Sequence, residues 1–129
     1  MPTLTAWPNI HDLVAPLLSL PYAEYNCWKV AQVLYKAGWN LDLASDPRLL
    51  NSAFDQVWWF QGDPRPPLSL VQPWDCLLLS IKGLVGDHCG VVLDDRLMVH
   101  TRKKAGVVKE PMHRWQARLW QIIRLKELC

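Results

Sequence analysis

Cys27, His88 and His100 are the residues of this chain whose types and spacing could carry nucleophilic chemistry. Cys27 follows Asn26, which can cap a helix, and precedes Val30, Ala31, Val33, Leu34 and Ala37 at helical spacing. A thiol in the first turn of a helix meets unpaired backbone N–H groups and the positive end of the helix dipole, and both favour the thiolate. Acyl chemistry also needs a base nearby. His88 opens the apolar stretch HCGVVL and His100 closes LMVH, with Asp94-Asp95-Arg96 between them. In a hairpin with an odd-numbered loop, two even-numbered positions fall on one face of the sheet, opposite or diagonal. The two histidines are therefore neighbours if the loop has three or five residues, whereas a two-residue turn at Asp94-Asp95 sends them to opposite faces. A cysteine at a helix start, a histidine base and a second polar ring to orient it follow the logic of a thiol hydrolase. The competing reading is a small buried thiol at Cys27 and two strand histidines without a role.

The elements that must position these residues can be read from periodicity. A short helix over residues 9 to 19 has Asn9 as its cap and Ile10, Leu13, Val14, Leu17 and Leu18 on one face, with Pro16 ending or kinking it. The Cys27 helix runs to about Ala37, with Gly38 in the C-cap position. Asp46-Pro47 predicts a third helix, continuing through Leu49, Leu50, Ala53, Phe54, Val57 and Trp58. Residues 61 to 73 hold four prolines and a glycine and read as a loop. After it the apolar runs shorten to strand length at 75–81, 89–93, 97–101 and 107–109, an antiparallel meander. The closing RLWQIIRLKEL fits both periods and is assigned to a strand that completes the sheet. Helices first and strands afterwards predict one α+β domain over 1–129, N-terminal helices packed on a C-terminal antiparallel sheet.

Composition narrows the function classes. Half of the 129 residues are apolar and eight are tryptophan, which describes a globular chain. The net charge is only +2 and the one basic run is Arg102-Lys103-Lys104, so nucleic acid is not an expected partner. The first twenty residues lack a basic start and carry Pro8, His11, Asp12 and Pro16, so neither a secretory signal nor a membrane span is expected there. Cys27, Cys76, Cys89 and Cys129 show no C-x-x-C spacing and read as free thiols. No metal or organic cofactor is expected; Cys89 with the histidines is the set a zinc ion would use.

The chain resembles the NlpC/P60 family of papain-like cysteine peptidases, in particular its compact phage-tail and prophage members. The resemblance rests on Tyr25-Asn26-Cys27-Trp28 leading into a helix, Gln72-Pro73-Trp74-Asp75 before an apolar strand, and Asp87-His88-Cys89-Gly90-Val91-Val92-Leu93. Leu97-Met98-Val99-His100, Gly106-Val107-Val108 and the closing strand around Arg124 follow in order. The resemblance implies Cys27 as nucleophile, His88 as general base and then acid, and His100 as the residue that fixes the His88 tautomer. It implies an oxyanion site built on the Cys27 backbone N–H, with Tyr22 or Tyr25 assisting, and a substrate-facing position at Asn26, where the family usually has aspartate. Trp74 stands where the family commonly has glycine, and Cys89 where it commonly has valine. In a regular strand Cys89 points away from His88, which predicts a core residue out of reach of Cys27.

The function implied is hydrolysis of an amide bond in a peptidoglycan stem peptide by a protein made in the bacterial cytoplasm and delivered to the wall with a phage tail. Phage tail components are then further partners. A structural or binding domain of a tail that keeps the fold without turnover is one alternative, and a thiol acyltransferase is another. Trp58-Trp59 could stack on sugars beside a cleft or simply pack, while His11 and His113 read as surface residues and Glu110-Pro111 as a strand end.

Overall fold

Asn9 starts the first helix, α1 (Ile10–Val14), by accepting the backbone N–H groups of His11 and Asp12 on its Oδ1. The computed structural model describes residues 7–44, 54–59, 68, 71–81 and 88–128. A 3₁₀ turn at Ala15–Leu17, with Pro16 inside it, ends the first helical segment, as the proline predicts. The second helix, α2 (Cys27–Trp39), begins at Asn26, whose Oδ1 accepts the Lys29 N–H at 2.9 Å. It ends on Asn40, not on Gly38: Asn40 takes the left-handed conformation at φ 53° and its N–H returns to the Lys36 and Tyr35 carbonyls. Asparagine tolerates that conformation almost as glycine does.

Gly38 is needed for a different reason. A Cβ there would lie 2.6 Å from Cη2 of Trp74, so the helix is thinned at the point where the indole presses on it. Trp74 holds the left-handed conformation at φ 74°, which suits glycine and costs a bulky residue about 1–2 kcal/mol. Its fully buried ring offsets that cost by filling the space between α1, α2 and the sheet. The ring lies 5.4 Å from Tyr35 and 5.9 Å edge-on to Trp39, and its Nε1 donates to the Pro8 carbonyl at 3.1 Å. The Tyr35 hydroxyl donates in turn to the Trp74 carbonyl.

Six antiparallel strands form the sheet: β1 (Phe54–Trp59), β2 (Cys76–Leu79), β3 (His88–Val92), β4 (Leu97–Arg102), β5 (Gly106–Pro111) and β6 (Leu119–Leu125). Their spatial order is β1-β6-β2-β3-β4-β5, so β2 to β5 form the expected meander and β6 returns to sit between β1 and β2. The closing stretch is thus a strand, and the architecture is α+β with the helices preceding most of the sheet. The expected third helix is overturned where it is described: Phe54–Trp59 is a strand pairing with β6 from Phe54↔Leu125 to Trp59↔Gln121. Pairing with β6 outweighs a helical spacing that a short apolar run cannot distinguish from a strand. The start of that expected helix, residues 46–53, and most of the 61–73 loop lie outside the described residues. So do the side chains of residues 56–59, and with them the stacking role weighed for Trp58 and Trp59.

The sheet has two unlike faces. Cys76, Leu78, Cys89, Val91 and Val99 face the helices and join Ala31, Leu34 and Tyr35 in the main core. Leu77, Leu79, Val92 and Met98 line the other face, beneath Met112 of a 3₁₀ segment, Met112–Arg118. Two pieces of the sequence resemblance meet between β2 and β6: Arg124 makes a bidentate pair with Asp75, both bonds 2.8 Å, and Asp75 also accepts the Gln72 N–H at 3.0 Å. Burial pushes the Asp75 carboxyl above its ordinary value despite those donors, so it depends on Arg124 for its charge.

Replacing Gly38 by alanine tests the role of the indole. In an ordinary helix Gly→Ala gains about 1 kcal/mol. Here the Trp74 ring reverses the sign, and Gly38→Ala lowers unfolding free energy by about 1–2 kcal/mol in urea titration. A stabilised variant would refute the contact.

Candidate active site

Asp94 sets the geometry from which the histidine pair follows. Its Oδ1 accepts the N–H groups of Arg96 at 2.8 Å and Leu97 at 2.7 Å, closing a side-chain turn. Leu93 N–H then donates to the Leu97 carbonyl at 2.8 Å, which leaves 94–96 as a three-residue loop. The register beyond it is Val92↔Met98 and Val91↔Val99. Extended along the strands, this register puts His100 across from Gly90 and diagonal to His88 on one face. The rings meet: His88 Nε2 lies 2.8 Å from His100 Nδ1, with the ring planes at 82°.

The line continues past His100 to a residue that the sequence analysis reads only as a strand end. In β5, Glu110 pairs with Met98 while Val108 pairs with His100, so Glu110 is diagonal to His100 on the histidine face. Its Oε1 lies 2.8 Å from His100 Nε2. Arg102 and Arg114 reach the same carboxylate from the solvent side at 3.4 and 3.9 Å. Trp115, from the 3₁₀ segment, covers both rings: it stacks on His88 at 5.8 Å and meets His100 edge-on at 4.9 Å. The His100 side chain is completely enclosed, and burial holds it below the usual imidazole value against the upward pull of Glu110. The alternation of β5 could have put Glu110 on this face in advance; the 3₁₀ geometry that brings Trp115 over it has no comparable sequence signal.

Cys27 is half-buried at the first position of α2. The largest influence on its thiol is a hydrogen bond from Cys89. Burial opposes that influence, and the His88 ring and the Cys89 backbone N–H reinforce it, holding Cys27 at about 4. Hydrogen bonds to Cys27 and Cys76, with burial, push Cys89 itself well above the usual thiol range, so it remains the protonated donor. The expectation for Cys89 is thus half overturned. It does face away from His88 and is fully buried, but its face is the one on which α2 packs, so it neighbours Cys27. The same alternation parts Cys89 from the histidine rings, against the zinc set considered from the sequence. Among the described residues no group of three or more His, Cys, Asp and Glu side chains is arranged to hold a metal ion.

The remaining candidates lie just before the helix. Glu24 and Tyr25 N–H groups both return to the Pro21 carbonyl, forming a turn that delivers the chain to Asn26. Tyr25 packs against the helix-side core, whereas Tyr22 keeps an exposed ring. Asn26 spends its side-chain oxygen on the helix cap. His11 and His113 are exposed, and His11 pairs with Asp94 at 3.4 Å. Chemically, the arrangement offers a thiolate, an imidazole beside it and a buried polar line behind that imidazole.

The Cys89 contribution is measurable. Cys89→Val removes the S–H donor at the cost of one added methyl group, so the midpoint of Cys27 alkylation against pH rises by about 1–2 units, the worth of one hydrogen bond to a charged group. An unchanged profile, followed by peptide mass spectrometry, would mean that Cys89 only fills space.

No family model matches the sequence and no curated protein matches it. Among solved structures, the crystal structure of the NlpC/p60 domain of the peptidoglycan hydrolase SagA matches with a TM-score of 0.65 at 12% sequence identity. The match covers 91% of this chain and 97% of that one. At that identity the likeness is one of architecture, and the chain has the NlpC/p60 fold.

Proposed function

We propose that this chain is a cysteine hydrolase of amide bonds acting on peptidoglycan stem peptides, with Cys27 as nucleophile, His88 as base and acid, and His100 as the orienting ring. The observation that carries this reading is the depressed Cys27 thiol beside a histidine whose far nitrogen is bonded, at 2.8 Å, to a second buried histidine. With its thiol held at about 4, Cys27 is a thiolate across the neutral range, its proton having passed to the outer nitrogen of His88. It attacks the scissile carbonyl, and the oxyanion forms against the Cys27 backbone N–H, one of the unpaired donors of the α2 N-terminus. Tyr22 or Tyr25 would assist there. His88 gives its proton to the leaving amine, then takes one from the water that resolves the thioester. Asn26 contributes its cap and no charge, which suits a substrate whose recognition does not depend on a free amine at that point.

The stem-peptide substrate draws support from the sequence resemblance and from the shared architecture with the domain of a peptidoglycan hydrolase. Synthesis in the bacterial cytoplasm, assembly with phage tail components and delivery to the wall are part of the proposal and rest on the sequence resemblance alone. No helix among the described residues is long and apolar enough to cross a membrane.

Digestion of purified muropeptides, with products resolved by mass spectrometry, tests the reading. The wild-type chain releases stem-peptide fragments, Cys27→Ala releases none, His88→Ala lowers kcat by about 10²- to 10⁴-fold, and His100→Ala lowers it less. Binding of muropeptides without cleavage by the wild type would favour the binding-domain alternative. Transfer of an acyl group to an added amine in place of water would favour the acyltransferase.

A further inference from the structure

We propose that Glu110 is the positioning residue that selects the productive tautomers of His100 and His88. The inference rests on the hydrolase reading and concerns how its base is prepared. A neutral imidazole carries one proton, so the 2.8 Å contact between His88 Nε2 and His100 Nδ1 can be made in two ways. If His88 Nε2–H donates to His100, the other nitrogen of His88 is bare and can take a proton from a thiol or a water. If His100 Nδ1–H donates to His88, neutral His88 carries its proton on the nitrogen needed for catalysis and cannot act as a base. The contact itself does not favour either arrangement.

The far end of the line decides. Glu110 Oε1 lies 2.8 Å from His100 Nε2, and a carboxylate can only accept. His100 must therefore hold its proton on Nε2, which leaves Nδ1 bare, and His88 must then present Nε2–H to it. One carboxylate thus sets the proton positions on two successive rings and leaves the outer nitrogen of His88 available to take the thiol proton. The same arrangement accommodates the imidazolium that forms during turnover, because a protonated His88 still donates through Nε2 to a bare acceptor. Burial keeps His100 neutral, which makes it a relay of orientation and not a second acid.

The groups that face these atoms fit the assignment. His100 is met by His88, by Glu110, by the charge of Arg102 and by the Trp115 ring. Glu110 is met by His100, Arg102 and Arg114. Arg114 meets Oε2, and Arg102 shares Oε1 with the ring at the longer distance of 3.4 Å. Trp115 stacks on His88 and meets His100 edge-on, and the fully enclosed His100 ring has no solvent to supply an alternative partner.

Glu110→Gln and Glu110→Leu test the assignment by two readouts that do not need a substrate. The first is the tautomer of His100 in ¹⁵N-histidine correlation spectra, and the second is the pH profile of Cys27 alkylation. In the wild type His100 is the Nε2–H tautomer. In Glu110→Leu it becomes a mixture, the Cys27 midpoint rises by about one unit, and kcat falls about 10- to 100-fold with little change in KM. Glu110→Gln falls between the two, because its amide can present either an acceptor or a donor to Nε2; being isosteric, it carries the test if the leucine variant does not fold. A folded variant with the wild-type tautomer and alkylation profile would overturn the proposal and leave Glu110 as a structural ion partner. If the tautomer and the profile shift while no protein cleaves muropeptides, the positioning role stands and the substrate assignment fails.

Discussion

The parity of one hairpin is the constraint on which the site depends. With a three-residue loop between β3 and β4, His88 and His100 share a face; with one residue fewer, one of them would turn into the helix-side core. Asp94 enforces the choice by accepting two successive backbone N–H groups across the loop. A single half-exposed side chain thereby determines whether the two rings meet. The same register places β5 so that Glu110 falls in line behind His100, and a local turn thus fixes a chain of contacts across three strands.

Cys27 is positioned by an independent set of contacts. Asn26 sets where α2 begins, and Trp74 sets how closely that helix lies on the sheet. The indole touches Tyr35 and Trp39 of α2, bonds to the segment before α1 and leads directly into Asp75 and β2. The Asp75–Arg124 pair then ties that strand entry to β6. Helix and sheet are therefore fixed to each other by buried, directional contacts at the end of α2 remote from Cys27. The thiol end is left to meet Cys89 and His88, whose different effects on the same sulfur make it anionic.

Most of this architecture could be read from residue order because it depends on local rules. The α2 cap and the meander follow from Asn26 and from the short apolar runs, whereas the Asp94 segment admits either loop parity until the backbone bonds to its carboxylate are seen. The failures share a physical origin in contacts between distant parts of the chain. Phe54–Trp59 has apolar residues at spacings that suit a helix, and only the open edge of β6 makes it a strand. Gly38 looks like a helix terminator until the Trp74 ring is seen against it. Strand alternation puts Cys89 on the correct face, but that face cannot be recognised as the one α2 covers without knowing how the helix docks. Glu110 precedes a proline and resembles a strand terminus, yet it is the acceptor at the end of the histidine line.

Trp74 and Gly38 behave as one locus. The space available to either is defined by the other, so their substitutions are epistatic and their energetic effects do not add. The order of change matters as well. Shrinking position 74 first relieves both the backbone conformation and the crowding, after which a larger residue at 38 has room. Enlarging position 38 first meets a closed ring. A mutational path between this core and one with glycine at position 74 is therefore passable in one direction of events and obstructed in the other.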